Sequence, residues 1–160
     1  MPLVPRPLPR TSAQVVKSID QKSEIVRDAV AILASRITWF QDYLAKLPGR
    51  VESRCFGPYP DGPDSHESGP PIELCLRLAR EGKDWILSCA THDPSNDECL
   101  EFRPLLDAPL KVKLAAIGMF PDLLESIEKS QDELTQSIVK ATDEFDRFVA
   151  SLNAAGKAGK

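Results

Sequence analysis

The chain has 160 residues, a net charge of −4 and 42 % hydrophobic content. That is enough apolar material for one core that folds without staples, and too little positive charge for a strongly basic nucleic-acid binder. No run approaches the ~18–20 apolar residues of a membrane span, and Met1–Arg10 lacks the apolar stretch of a signal peptide. A cytoplasmic location is therefore expected, with Cys55, Cys75, Cys89 and Cys99 as thiols.

Residues 1–10 carry Pro2, Pro5, Pro7 and Pro9, which favours an extended, disordered tail. Thr11 followed three residues later by Gln14 is a capping box, and it opens a helix predicted over 12–47 that stops at Leu47-Pro48-Gly49. Inside it, Val16, Ile19, Ser23, Val26, Val30, Leu33, Ile37, Phe40, Leu44 and Leu47 recur at alternating intervals of three and four, a heptad seam. A second stripe of Ile25, Ala29, Ile32, Trp39 and Tyr43, broken by Arg36, widens the apolar arc beyond what one partner helix covers.

The middle of the chain changes period, and strands are expected within 50–103. Ile72, Leu74, Leu76 and Leu78 alternate with Glu73, Cys75, Arg77 and Ala79 as in a half-buried strand. Arg80 to Asp84 supplies a turn around Gly82, and Trp85–Ala90 is the return strand. Cys99–Arg103 is a third strand and Val51–Phe56 a candidate fourth. The segment 57–71, rich in proline and glycine, is expected to be a mobile loop. Pro109 opens a short helix over 108–117, with Leu110, Leu114 and Ile117 toward the sheet.

Gly118 and Pro121 then set the start of a last helix over 121–152. It carries a matching seam of Phe120, Leu124, Ile127, Gln131, Leu134, Ile138, Ala141, Phe145, Phe148 and Leu152. Residues 154–160 form a basic tail. Eight carboxylates face three bases across 121–152, against five bases and four acids across 12–47. The expected architecture is one α+β domain over 11–153. Its two long helices lie antiparallel, with Ser23 near Phe145 and Ile37 near Gln131, and bracket a 3–4 stranded antiparallel sheet and the short helix.

No motif carries specific chemistry. Cys89, His92 and Cys99 surround one loop, but zinc sites usually present close pairs of ligands, and a core cysteine beside a turn histidine is the favoured reading. Asp93, Ser95 and Asp97 lack the glycine and distal glutamate of a calcium loop, and an Asx turn explains them. No catalytic residue, cofactor or metal is assigned. Interfaces favour Trp and Tyr as anchors, so Ile25, Ile32, Trp39 and Tyr43 are the candidate partner-binding residues. The function expected is a non-catalytic interaction module, an accessory subunit or a homodimer. A metal-binding or enzymatic protein using the 89–99 loop is the alternative. In outline, the order helix, strands, helix with heptads at both ends resembles prefoldin subunits. That likeness covers topology alone, and it implies a holdase chaperone whose splayed helix ends grip unfolded chains.

Overall fold

The computed structural model describes residues 11–60 and 72–158. Its elements run α1 (Ser12–Lys46), β1 (Ser53–Pro58), β2 (Glu73–Glu81), β3 (Asp84–Asp93), β4 (Glu98–Pro104), a 3-10 turn at Leu105–Asp107, α2 (Leu110–Gly118) and α3 (Phe120–Ala158). This is the expected α+β arrangement, with long terminal helices and a four-stranded antiparallel sheet in the order β1-β2-β3-β4.

The local signals act as the chemistry requires. Thr11 and Gln14 form a reciprocal capping box: the Gln14 N–H donates to the Thr11 hydroxyl, and the Thr11 N–H donates to the Gln14 side chain. Pro48 has no N–H to continue the helix, so α1 ends at Lys46 and the chain turns through Gly49 at φ +64°. The β2–β3 hairpin turns tightly at Gly82, whose φ of +63° suits the first central position of a two-residue loop.

Alternation sorts the sheet into two faces. Leu74, Leu76, Leu78, Leu87, Cys89 and Cys55 form the inner face and pack under the helices with Ile37, Phe40, Leu44, Met119, Leu123 and Ile127. At roughly 25 cal/mol per Å² of apolar surface, this layer is where the fold gains its stability. α2 also sits on it, but through Val112 and Ala116. The expected residues Leu110 and Leu114 are exposed instead. The reason lies at the junction with α3. Met119 stays in the helical region, and the Leu123 N–H donates to its carbonyl at 3.0 Å. One buried stripe therefore runs through Ala108, Val112, Ala116, Met119, Leu123 and Ile127 across both helices. Small side chains hold α2 close to the sheet, and the larger leucines are turned outward.

Some boundaries differ from expectation. β1 runs to Pro58, so 57–58 belong to the sheet and not to a loop, and Tyr59 packs on the core. The remainder of the expected mobile loop, 61–71, lies outside the described residues, as do the N-terminal tail and the end of the basic tail. β3 continues to Asp93, three residues beyond the predicted return strand.

The expected antiparallel zip of the two long helices is not formed within the chain. α1 is tied to β3 where the Leu87 N–H donates to Gln41 Oε1 at 3.1 Å and the Arg50 guanidinium covers Trp85. α3 is tied to β1, where the Ser126 hydroxyl donates to the Arg54 carbonyl at 2.8 Å and the Cys55 thiol donates to the Met119 carbonyl. Each helix thus runs opposite to its own strand. β1 and β3 point the same way, since both pair antiparallel with β2, so the two helices advance in the same direction. The helix-to-helix contacts agree: Phe40 stacks on Phe120, and the Gln131 amide donates to the carbonyls of Pro48 and Gly49. The free lengths of α1 and α3 consequently leave the body at opposite ends, where neither can reach the other.

Candidate functional site

Two features stand out from the packed body: the free helical arms and a polar cluster on the outer sheet face.

The arms come first. In α1 the residues buried on the sheet are Ile37, Phe40 and Leu44. On α3 they are Leu123 and Ile127. Past Leu33, which packs partly on the core, and Gln131, which bonds Pro48 and Gly49, the same seams continue outward into solvent. Ile19 and Val26 are 55 % exposed on the α1 arm, and Ile138 and Phe145 are 57 % and 63 % exposed on the α3 arm. An apolar residue every three to four positions along a solvated helix is an amphipathic face left uncovered. Net charge separates the arms. Residues 12–36 carry four bases (Lys17, Lys22, Arg27, Arg36) and three acids (Asp20, Glu24, Asp28), while 132–152 carry five acids (Asp132, Glu133, Asp143, Glu144, Asp146) and two bases (Lys140, Arg147).

The four candidate partner-binding residues lie on a different side of α1. Helical phase puts Ile25, Ile32, Trp39 and Tyr43 roughly 110° around the helix from the sheet-facing seam, flanking it, and all four are exposed, Trp39 by 64 %. Trp39 and Tyr43 stack on each other at 5.8 Å. Neither the sheet nor α2 covers this stripe.

The outer sheet face carries the second feature. Its floor is small: Cys75, Ala79, Ser88 and Ala90 are buried. Larger neighbours roof it. Arg77 lies 3.7 Å over the Phe102 ring, donates toward the Ser88 hydroxyl and pairs with Glu81 at 3.6 Å. His92 is buried against Phe56, with Nδ1 2.9 Å from Glu73 Oε2 and Nε2 3.3 Å from Asp97 Oδ1. Asp97 reaches it from a left-handed backbone, φ +54°, which aspartate tolerates better than most residues. The preceding turn is an Asx turn, in which the Ser95 hydroxyl and N–H bond the Asp93 carboxylate and hold it below the usual carboxylate range.

This arrangement separates the three residues weighed as metal ligands. β3 runs straight through Asp93, so Cys89 faces inward beside Leu87 while His92 faces outward. Cys99, paired with His92 across the strands, shares the outer face. Cys75 is the thiol that comes nearest Cys99, a pairing that sequence spacing did not suggest. Burial pushes the Cys75 thiol well up, and the neighbouring Cys99 thiol adds to the shift. Burial also raises Cys89 and takes Cys55 up to about 11, with Asp122 adding to the latter. Buried, protonated thiols are poor nucleophiles and poor ligands. Among the described residues no group of three or more His, Cys, Asp or Glu side chains is placed to hold a metal ion.

A cleft of about 240 Å³ opens between β4 and α2, lined by Tyr59, Leu74, Cys89, Thr91, Arg103 and Val112. Among the described residues no helix is long and apolar enough to cross a membrane. No family model matches the chain, and no curated protein and no solved structure matches it either.

Proposed function

We propose that this protein is a non-catalytic assembly module, an accessory subunit that joins a larger complex or its own copies through its helical arms. One observation carries the reading: both long helices extend their heptad seams well past the sheet, with the apolar side chains in water. A helix of this length gains most of its stability from packing an amphipathic face, so a projecting arm is best accounted for by a helical partner. The exposed Trp39–Tyr43 pair on the flank of α1 offers a further contact of the kind that anchors interfaces.

The reading is tested with Val26→Asp on the α1 arm and Ile138→Asp on the α3 arm. Each places a charge in a seam while leaving the body's core intact. In cells of the native host, the wild-type chain should run in an assembly larger than its own 17.6 kDa, and the double variant should fall to the mass of the single chain with an unchanged melting temperature. An assembly that persists unchanged with both seams charged would remove the proposal.

A further inference from the structure

We infer that the free arm of α1 is a self-association element: two copies pair antiparallel along residues 12–36, about a single two-fold axis passing between Glu24 and Ile25. The inference deepens the assembly reading above by naming the occupant of one arm.

The seam itself supplies the first argument. Val16, Ile19, Ser23, Val26, Val30 and Leu33 continue the side of α1 that carries Ile37, Phe40 and Leu44 onto the sheet: Val16, Ile19 and Val26 are exposed, Val30 is half-buried, and Leu33 at the root of the arm packs partly on the core and offers only its remaining surface to the second copy. In an antiparallel pair centred between residues 24 and 25, Val16 meets Leu33 of the second copy, Ile19 meets Val30, and Ser23 meets Val26. Every layer is filled, and the one small polar residue falls beside a branched apolar one. The arm is 25 residues long, about 37 Å, and the whole of it is used: the tip of each arm ends at the body of the other copy.

The flanking charges fix the register. In an antiparallel pair the residues that follow the second apolar position of each heptad face one another. Here that sets Asp20 against Arg27 of the second copy, and by symmetry Arg27 against its Asp20. On the other flank Lys22 meets Ala29 and Val15 meets Arg36, so no like charges meet. A slip of one heptad in one direction sets Arg27 against its own copy and Lys22 against Arg36. A slip in the other direction sets Asp20 against its copy. A parallel, in-register pair sets Lys22 beside Arg27 twice. One arrangement joins opposite charges on both sides of the axis, and the alternatives juxtapose like charges. The α3 arm has no such reciprocal pair, and its five acids against two bases would repel a second α3 arm. The contact is isologous, so it closes at two copies, and it leaves the α3 arm and the Trp39–Tyr43 stripe free for other partners.

Sedimentation equilibrium of the purified full chain across the micromolar range is the test. The wild type should approach twice 17.6 kDa. Asp20→Arg and Arg27→Asp, each alone, turn both ion pairs into repulsions and should weaken the dimer roughly tenfold or more. An equimolar mixture of the two variants should recover it, because every contact between positions 20 and 27 again joins opposite charges. Both sites are exposed, so an unchanged melt confirms that folding is intact. A wild type that stays monomeric throughout, a dimer indifferent to both reversals, or a mixture that fails to recover would each overturn the pairing. If the pure chain is monomeric while Val26→Asp with Ile138→Asp still shrinks the native assembly, the self-pairing fails and the assembly reading survives. If neither responds, both fail.

Discussion

The body and the arms are built from the same heptad pattern, yet they meet different fates. In the body, Ile37, Phe40, Leu44, Met119, Leu123 and Ile127 lie on the sheet and are lost from solvent; along the arms, Val16, Ile19, Val26, Leu134, Ile138, Phe145 and Phe148 stay in water. The contrast teaches that periodicity reports a face in need of cover, while the cover is decided by where the sheet ends. A strand of nine or ten residues spans about 30 Å, whereas a helix of 35 residues reaches about 52 Å. The surplus helix has to project.

This comparison can be broken by mutation. The largest effect is expected from Leu44→Ala, which empties a fully buried site beneath α1 and should cost about 2–5 kcal/mol. Ile32→Ala, on the exposed stripe of the same helix, should fall within about 0.5 kcal/mol. Urea unfolding of the two variants reads both; equal losses would mean that the arm is as well packed as the body. Next comes Gly57→Ala. A methyl there would lie 2.9 Å from the Met119 sulfur, where α3 begins over β1, so about 1–3 kcal/mol of strain is expected. Met119 has a flexible side chain, and Met119→Ala in the same chain should return part of that loss, which a double-mutant cycle measures.

A subtler effect is expected from pH. The thiols of Cys55, Cys75 and Cys89 ionise at higher pH in the folded chain than in the unfolded one. The unfolded chain therefore releases its thiol protons first, from about pH 8.5. The stability these thiols contribute is complete below that pH and should decline as pH rises toward about 11. Melting temperature across this window checks it, and Cys75→Ala should flatten the slope. Most localised of all is the effect of Thr11→Ala. Loss of the capping box should cost about 0.5–2 kcal/mol of local helix stability at the tip of the α1 arm and leave the body unchanged. Faster amide exchange over the first turn of α1, with none in β2 or β3, is the expected result.

Much of the fold was legible in the sequence. Thr11 and Gln14 marked the start of α1, Pro48 marked its end, and the alternation through Leu74, Leu76 and Leu78 marked the central strand. The pairing of the long helices was not legible, because equal length and equal spacing say nothing about which strand each helix settles on. α2 was misjudged because Leu110 and Leu114 outweigh Val112 and Ala116 in hydrophobicity, whereas close packing on a sheet favours the smaller pair. At the candidate site, the exposure of Ile25, Ile32, Trp39 and Tyr43 was not legible, because a stripe flanking the seam has the same spacing whether the protein's own sheet covers it or leaves it in water. The split between Cys89 and His92 was available from parity alone: an odd interval on a continuous strand puts two side chains on opposite faces. Ending the strand at Ala90 hid it. The approach of Cys75 to Cys99 depends on a bulge between Cys89 and Thr91, which spacing does not announce.

Because α1 and α3 advance together and leave by opposite ends, the molecule is a strut. Helices of 35 and 39 residues overlapping by roughly a dozen place its two tips up to roughly 90 Å apart. A partner bound at one tip, as proposed above, would be held at a fixed remove from one bound at the other, with the sheet as the brace between them.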